Sequence, residues 1–344
     1  MIQFQCDYNE GAHPAILKRL GDTNMEQTVG YGEDSYCEEA RALIRKACES
    51  EEVDVHFLVG GTQTNTTVIS HTLRPYQGVL TAVSGHINVH ETGAIEATGH
   101  KVLAIASEDG KLKATQIEEA MQAHMNEDGP EHMVQPGMVY ISFPTEVGTV
   151  YTATELEEIS TVCRKYALPL FVDGARLGYG ICSPASDITL PLLAKLADVF
   201  YIGGTKVGAL FGEAVVITNE TLKKDFRYSI KRHGGMLAKG RLLGIQFATL
   251  FTDNLYMEIA QHAINEAMRI KESLKAKGIT FLMDSPTNQQ FPIFSNTQLE
   301  RLSKDYLFSV WQRMDEEHTA VRICTSWATK SENVDKLISD IEQL

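Results

Sequence analysis

The sequence lacks long apolar runs, closely spaced cysteines and any surplus of basic residues. No stretch approaches the roughly 18 apolar residues of a membrane-spanning helix, so no such helix is predicted. The six cysteines are scattered without a Cys-X-X-Cys pair, which in a chain of 344 residues indicates reduced thiols and a cytoplasmic protein. A net charge of −14 disfavours nucleic acids and anionic membranes as partners.

Two nucleotide-binding fingerprints are also missing. The glycine-containing turn at Gly60-Gly61 lacks the Gly-X-Gly-X-X-Gly spacing, and no Gly-Lys-Ser/Thr follows it as in a Walker loop. A nucleotide-binding oxidoreductase is therefore disfavoured.

Short apolar runs alternate with helical patterns over the first 220 residues or so. The runs are rich in β-branched and aromatic residues and show no strict alternation, which is typical of strands that are buried on both faces. The intervening helical patterns predict βα units and a mainly parallel sheet. The predicted strands are His56–Val59, Gly78–Val83, Lys101–Ala106, Met138–Phe143, Leu168–Asp173, Asp198–Ile202 and Glu213–Thr218.

The pattern changes after about Arg241. A long helical region follows from roughly Leu242 to Lys277, and after an extended stretch we expect a helix near Ser303–Glu317 and a strand at Thr319–Ser326. The sequence thus predicts the α/β class, with a large domain at 1–240 that carries the sheet. A smaller α+β domain is expected at 241–344, with the N-terminal segment packing near it.

Polar residues follow several predicted strands, at the sheet edge where open α/β proteins bind ligands. Gly60-Gly61-Thr62 follows one strand and opens a helix, an arrangement that favours a phosphate. Asp173 ends another strand and suits a carboxylate that pairs with a pyridinium nitrogen, while the Arg176 fork could receive a substrate carboxylate.

Two further strand ends complete this group. Lys206 follows a buried strand and is flanked by glycines, so desolvation should lower the pKa of its amine and make it a nucleophile toward an aldehyde. Zinc binding by His86 and His90 is disfavoured, because the spacing is not His-Glu-X-X-His and no third ligand is evident, so no metal site is predicted. A single imidazole that stacks over a flat cofactor, or a structural histidine, fits this segment better. Together these residues predict a pyridoxal-phosphate enzyme that acts on an amino acid.

The sequence resembles the fold type I, aminotransferase-like pyridoxal-phosphate enzymes, and among them the threonine aldolases of the β-eliminating lyase group. The resemblance extends from Gln5-Cys6-Asp7 to the last helix. Its most specific pieces are Tyr31-Gly32-Glu33-Asp34, Gly61-Thr62, His86 with Glu91-Thr92-Gly93-Ala94, Asp173-Gly174-Ala175-Arg176 and Lys206.

The resemblance implies a role for each matching residue near the cofactor. Lys206 would hold the cofactor as a Schiff base, Asp173 would pair with the pyridine nitrogen, and His86 would stack on the ring. Gly61 and Thr62 would hold the phosphate. The full set expected around the cofactor is Gly61, Thr62, His86, Asp173, Arg176, Thr205 and Lys206.

The resemblance also implies a shared substrate site in a homodimer or homotetramer. Arg176 and Arg322 would clamp the substrate carboxylate, and Cys6 occupies the position of a carboxylate-binding serine. Tyr31 would reach the site from or near a neighbouring subunit, and His132 would match a second catalytic histidine contributed by a neighbour.

Two other segments depart from the family pattern. Phe143-Pro144-Thr145-Glu146 replaces a Thr-His-Asn sequence, and Leu237 stands where the family has a phosphate-binding arginine. Candidates to replace that arginine are Arg232, Lys239 and Arg241.

The reaction implied is cleavage of a β-hydroxy-α-amino acid, threonine or allo-threonine, to glycine and an aldehyde. Either His86 or His132 would accept the hydroxyl proton. Transamination, β-elimination and racemisation use the same cofactor and stay open, as does a non-catalytic relative of the same fold.

Overall fold

The computed structural model describes all 344 residues, which form two sheets, a short strand pair and fourteen α-helices. The strands are β1 Ile2–Gln3, β2 Asp54–Leu58, β3 Gln77–Ala82, β4 Val102–Ile105, β5 Gln135–Ser142, β6 Leu170–Asp173, β7 Val199–Gly203, β8 Glu213–Ile217, β9 Gln289–Gln290, β10 Ile293–Ser295, β11 Tyr306–Leu307, β12 Ser309–Arg313 and β13 His318–Cys324.

The helices lie between the strands and at the end of the chain. They are α1 Pro14–Asp22, α2 Ser35–Ala47, α3 Gly61–Thr72, α4 His86–Val89, α5 Ala114–Met125, α6 Ala153–Lys165, α7 Leu177–Ile181, α8 Leu190–Leu196, α9 Glu220–Lys223, α10 Phe226–Arg232, α11 Arg241–Phe251, α12 Leu255–Ala276, α13 Asn296–Leu302 and α14 Ser331–Glu342. None of these helices combines the length and the apolar character needed to span a membrane.

The large sheet has seven strands in the order β2-β8-β7-β6-β5-β3-β4. Strand β8 alone runs opposite to the other six strands, so the predicted mainly parallel sheet is confirmed. Alternate side chains of a strand face opposite sides, and both sides are buried here: Leu80 and Val139 lie in one core cluster, Val79 and Met138 in another. Burial on both faces explains the continuous apolar runs in the sequence.

The predicted helix from Leu242 to Lys277 is two helices, α11 and α12. Asp253 and Asn254 separate them with φ of 51° and 61°, a left-handed conformation that Asp and Asn tolerate better than most residues. Helix α11 packs on α2, where a Cβ at Gly244 would lie 2.5 Å from the Cys37 amide nitrogen. Glycine at position 244 thus allows the close approach of these two helices.

The prediction of a helix near Ser303–Glu317 is wrong. That segment forms the strands β11 and β12, and β12 pairs antiparallel with β13 over Val310 and Val321. Its aromatic and β-branched residues pack better on a half-buried sheet surface than on a helix, and this preference outweighs the helical spacing. The predicted strand Thr319–Ser326 corresponds to β13.

The N-terminal strand joins the C-terminal part of the chain. Strand β1 pairs parallel with β11, and the Phe4 carbonyl accepts a hydrogen bond of 2.7 Å from the Cys324 amide. Phe4 also belongs to the core cluster of the small sheet, together with Phe294 and Val321. These contacts place the following residues, including Asp7, between the small sheet and the edge of the large sheet.

Candidate active site

The carboxyl ends of the parallel strands and the first residue of antiparallel β8 meet at one edge of the large sheet. They enclose an inner pocket of about 130 Å³. It is lined by Gly61, Thr62, His86, Ser142, Pro144, Glu146, Asp173, Ala175, Arg176, Tyr201 and Lys206.

An outer cavity of about 730 Å³ shares several of these residues and extends to the small sheet and the N-terminal segment. Its lining beyond the shared residues is Tyr8, Val59, Gly60, His90, Thr205, Glu213, Gln289, Ser309, Val310, Trp311 and Arg322. The structure therefore brings Gly61, Thr62, His86, Asp173, Arg176, Lys206 and Arg322 to one continuous site.

Asp173 is a buried carboxylate held by four donors. The Tyr140 and Tyr201 hydroxyls donate to its two oxygens, the Ala175 amide donates at 3.0 Å, and Asn65 Nδ2 donates at 3.2 Å. Burial alone would raise the pKa of Asp173, but the His86 charge and the tyrosine hydroxyls lower it below its ordinary value. The pocket thus keeps a negative charge at its closed end.

The backbone directly after Asp173 requires glycine. A Cβ at Gly174 would lie 1.9 Å from the Tyr201 carbonyl oxygen on the neighbouring strand. Glycine lets the chain turn within the sheet edge, and the turn directs Arg176 toward the cavity.

His86 is oriented by a buried acid. It begins α4, and its Nδ1 donates to Glu91 Oε1 at 2.8 Å, while Asn65 donates to the same oxygen at 2.8 Å. Burial alone would lower the pKa of His86, but the Glu91 hydrogen bond and the Asp173 charge raise it. The imidazole is therefore protonated more readily than an ordinary histidine, and the bond to Glu91 fixes its ring orientation.

Lys206 lies just beyond the end of β7 and borders both the inner pocket and the outer cavity. Its Nζ is 5.9 Å from the centroid of the Tyr8 ring. Burial and the Arg176 charge lower the pKa of the amine, against the attraction of Asp7, Glu213 and Asp173. A larger neutral fraction makes this lysine a better nucleophile than a solvated one.

The N-terminus of α3 faces the inner pocket. Its N-cap residue Gly60 makes no side-chain capping bond, and Gly61 and Thr62 form its first turn. The first amides of a helix have no intrahelical partner, and the helix dipole favours an anion there. This end of the pocket suits a phosphate.

Arg176 forms an ion pair with Asp7. Asp7 was not among the site residues predicted from the sequence. Arg176 Nε and Nη2 donate to the two Asp7 oxygens at 2.7 and 3.0 Å, and Asn288 Nδ2 adds a third bond to Asp7 at 2.9 Å. Burial alone would raise the pKa of Asp7, but Arg176 holds it below its ordinary value. Only the Nη1 side of Arg176 is left for another carboxylate.

Arg322 reaches the cavity from β13 and has neutral partners. It donates to the Gln5 carbonyl at 2.9 Å and to Gln289 Oε1 at 3.2 Å, and its guanidinium carbon is 5.6 Å from the Trp311 ring centroid. The Nε atom of Arg322 and the Nε2 atom of Gln289 are buried without a hydrogen-bond partner. These donors are positioned for an acceptor that enters the cavity.

Two acids in the cavity have no role in the sequence prediction. Glu146 Oε1 accepts from the His86 amide at 2.9 Å and from Ser142 Oγ at 2.6 Å, while its Oε2 is buried without a partner. Burial, together with the charge of Asp173, raises the pKa of Glu146. Glu146 lies in the loop four residues after the end of β5, so its position beyond a strand end is the signal that could have revealed it.

Glu213 is the second such acid. It accepts from the Thr205 hydroxyl at 2.9 Å and the Gly204 amide at 3.1 Å, and burial raises its pKa to about 7. It begins β8 and pairs with Gly203 at the end of β7. Because β8 is antiparallel, its first residue lies at the same edge as the ends of the parallel strands, a direction that the sequence did not reveal.

Several predicted site residues lie apart from the cavity lining or have other partners. Tyr31 is exposed and lies 5.1 Å from Lys231 Nζ, and His132 is exposed in the 3₁₀ turn Pro130–His132. Cys6 Sγ donates to Asn9 Oδ1 at 3.0 Å. Thr205 borders the cavity, but its hydroxyl is bonded to Glu213. The roles of Tyr31, His132, Cys6 and Thr205 stay predictions.

The candidates for the missing phosphate-binding arginine do not line the cavity. Arg241 donates to the Thr23 and Glu26 carbonyls at 2.6 and 2.7 Å, so its guanidinium is bound within its own chain. Leu237 lies against apolar neighbours such as Leu243, and Lys239 and Arg232 are exposed. The cations of this chain that border the site are Arg176, Lys206 and Arg322.

Comparison with known proteins places the chain in a family. The model of the β-eliminating lyase family matches residues 3–297. The chain belongs to this family. The predicted family and the predicted lyase class are thereby confirmed.

Relatives match over nearly the whole chain. A low specificity L-threonine aldolase from a Pseudomonas species is 31% identical over 348 residues, covering 98% of this chain and 96% of the relative. The solved structure of Leishmania major threonine aldolase is 45% identical with a TM-score of 0.97, covering 100% of this chain and 99% of that one.

More distant structures share the fold alone. The histidinol-phosphate aminotransferase of Clostridium acetobutylicum superposes with a TM-score of 0.74 at 14% identity, over 100% of this chain and 98% of that one. The prediction of an aminotransferase-like fold with a small C-terminal domain is confirmed. The predicted boundary at residue 240 stays a prediction.

Proposed function

We propose that this protein is a pyridoxal-phosphate-dependent aldolase that cleaves threonine or allo-threonine to glycine and acetaldehyde. The observation that carries the proposal is one pocket that holds an anion-binding helix terminus, a desolvated lysine and a charged buried aspartate, next to an arginine with free donors. The threonine aldolases related over the full chain length support the choice of substrate.

The donor set fits pyridoxal phosphate at both of its ends. The uncapped N-terminus of α3 would hold the phosphate, and Asp173 would keep the pyridine nitrogen protonated. His86 would lie against the ring and Lys206 would carry the cofactor. When bound, pyridoxal phosphate would supply an aldehyde for the substrate amine and a ring that takes up the electrons of a broken bond at Cα.

The residues of the chain would select which bond breaks. Arg322, with unpartnered Nε, would bind the substrate carboxylate, assisted by the free side of Arg176. Fixing the carboxylate fixes the rotation about the bond from Cα to nitrogen, so the side chain stands in the orientation needed for cleavage. Lys206, with its lowered pKa, can hold or release a proton near Cα.

We also propose that the active unit is a cytoplasmic homodimer or homotetramer that shares its sites. The support is that neither Tyr31 nor His132 borders the cavity of its own chain, and that none of Arg232, Lys239 and Arg241, the candidates to replace the family's phosphate-binding arginine, borders it either. A neighbouring copy could supply these groups.

The proposal is tested by product analysis. Purified protein is loaded with pyridoxal phosphate and incubated with L-threonine, and glycine and acetaldehyde are quantified. We expect equal amounts of both, no product with Lys206→Ala, and unchanged product with Lys195→Ala, a change at an exposed helical lysine. A keto acid would indicate transamination or elimination instead, and D-allo-threonine, the product of inversion at Cα alone, would indicate racemisation.

A further inference from the structure

Cleavage of a β-hydroxy-α-amino acid requires a base for the hydroxyl proton, and neither histidine predicted for this step fits it within the chain. His86 borders the inner pocket, where its ring would lie against the cofactor, and its Nδ1 is already bonded to Glu91 at 2.8 Å. His132 is exposed and lies outside the cavity lining. Within a single chain the step therefore lacks an assigned base, and a His132 supplied by a neighbouring copy is the alternative that the test below separates.

We propose that His90 is the base that accepts the hydroxyl proton, an inference that rests on the proposed function. His90 is the C-cap residue of α4, and its ring centroid is 5.5 Å from that of His86. It borders the outer cavity together with Arg176 and Arg322, but does not border the inner pocket. It therefore lies on the side of the cavity where the substrate would bind.

The state of the His90 ring suits a base. It is exposed, and no hydrogen bond to another protein group occupies either nitrogen. Burial, His86, Arg322 and Arg176, in that order, lower its pKa, so the neutral imidazole prevails at neutral pH. The other ionisable groups of the cavity are Tyr8, Glu146, Lys206 and Glu213.

The proton and electron balance of the step is closed. A neutral nitrogen of His90 takes the hydroxyl proton, and the O–H electron pair becomes the second C–O bond of the aldehyde. The Cα–Cβ bond breaks and its electron pair stays with Cα, which gains one proton to give glycine. The proton that Cα gains would come from Lys206. His90 then returns its proton to solvent through the open cavity, and Lys206 regains one from solvent, so the protons balance.

The test compares His90→Asn with wild type as the holoenzyme. We expect kcat for L-threonine cleavage to fall about 100-fold with little change in KM, because a general base acts in the transition state. Glycine needs no hydroxyl deprotonation, so exchange of its Cα proton with deuterium, followed by NMR, should continue at a near wild-type rate. A merely structural role would slow both reactions.

Two further measurements sharpen this test. The matched control His318→Asn changes an exposed imidazole that bonds only Asp315, and we expect it to leave cleavage unchanged. In the cofactor-free protein, NMR titration should find the imidazole pKa of His90 below the ordinary value of a histidine. Added imidazole should partly restore cleavage to His90→Gly.

Each result decides the proposal. Selective loss of cleavage in His90→Asn, with glycine exchange retained, supports it. Full cleavage by His90→Asn, or equal loss of both reactions, overturns it, as does loss in His132→Asn alone. A wild-type holoenzyme that releases no aldehyde from threonine would overturn the proposed function, and the role of His90 with it.

Discussion

The two arginines that border the cavity are held in different ways on its two sides. On the sheet side, Arg176 is locked in a two-bond pair with the buried carboxylate of Asp7. On the small-sheet side, Arg322 is held by the neutral Gln5 carbonyl and Gln289 amide, and its Nε has no partner. The charge of Arg176 is thus neutralised by Asp7 within the protein, whereas the charge of Arg322 has no carboxylate partner and is available to the substrate.

This difference separates stability from substrate binding. A buried charge whose partner is removed is costly, so Arg176 should support the fold as well as the site. Substitution of Arg322 should cost little stability in the free protein, because its hydrogen-bond partners are neutral. It should weaken substrate binding more, because the positive charge of Arg322 is available to pair with a substrate carboxylate.

The largest effect is expected on the sheet side at Asp173. Asp173→Asn keeps the shape of the side chain but replaces one of its two acceptor oxygens by an amide donor and removes the charge that would hold a proton on the cofactor ring. We expect kcat to fall by about 10²- to 10⁴-fold, the range for a lost proton-handling group. Steady-state cleavage of threonine measures it. Unchanged turnover in Asp173→Asn would contradict this role, and Asp305→Asn, at an exposed aspartate, should have no effect.

The next largest effect is a difference in the free energy of unfolding between variants of the two arginines. Arg176→Met should lower the free energy of unfolding by about 3–5 kcal/mol, because it leaves Asp7 buried without its cation. Arg322→Met should cost only about 1 kcal/mol, the loss of hydrogen bonds to neutral partners. Urea denaturation of both variants gives the two values. Equal losses would refute the distinction between the two sides.

Substitution of Arg322 is expected to affect substrate binding more than it affects stability. Arg322→Lys keeps the charge but loses the planar fork, so we expect KM for threonine to rise about tenfold, or about 1.4 kcal/mol, with a smaller change in kcat. Arg313→Lys on the adjacent strand β12 is exposed and serves as the control. A KM equal to that of wild type would show that Arg322 does not bind the carboxylate.

The remaining effect is a pH dependence of the free energy of unfolding at Glu213. Its pKa of about 7 in the folded chain lies above the ordinary value near 4.3, so the folded state holds the proton longer. Wild-type stability from this group therefore falls as pH rises from about 5 to 7, by about 1.4 kcal/mol per pH unit at most.

Glu213→Gln removes this titration. The stability of the variant relative to wild type should rise over the same pH range and level off above pH 7. Urea denaturation at several pH values measures the difference between the two proteins. A difference that stays constant with pH would show that Glu213 does not titrate in this range.

Much of the sheet could be predicted from the sequence because both of its faces are buried. All seven predicted strands correspond to β2–β8, and their ends carry the predicted residues Gly61, Asp173 and Lys206. The failure near Ser303–Glu317 has a physical cause: β11 pairs with β1 near the N-terminus and β12 pairs with β13, which begins just after the segment, so both strands depend on partners outside it. Local spacing does not reveal such partners.

The site was harder to predict where it depends on the direction of a strand or on segments that are distant in the sequence. Asp7 meets Arg176 only because β1 joins the small sheet, and Glu213 reaches Lys206 only because β8 is antiparallel. Glu91 was visible within a matching motif, but its hydrogen bond to His86 depends on the short helix α4. His90 was considered as a zinc ligand, whereas the structure places it in the outer cavity.

The most direct test of the account is to locate the lysine that carries the cofactor. The protein is mixed with pyridoxal phosphate, reduced with borohydride to fix the cofactor to its lysine, digested and mapped by mass spectrometry. The account predicts one modified peptide, which contains Lys206, and none at that position in Lys206→Ala. Stoichiometric modification of a different lysine, or no modification of the wild-type protein, would contradict it.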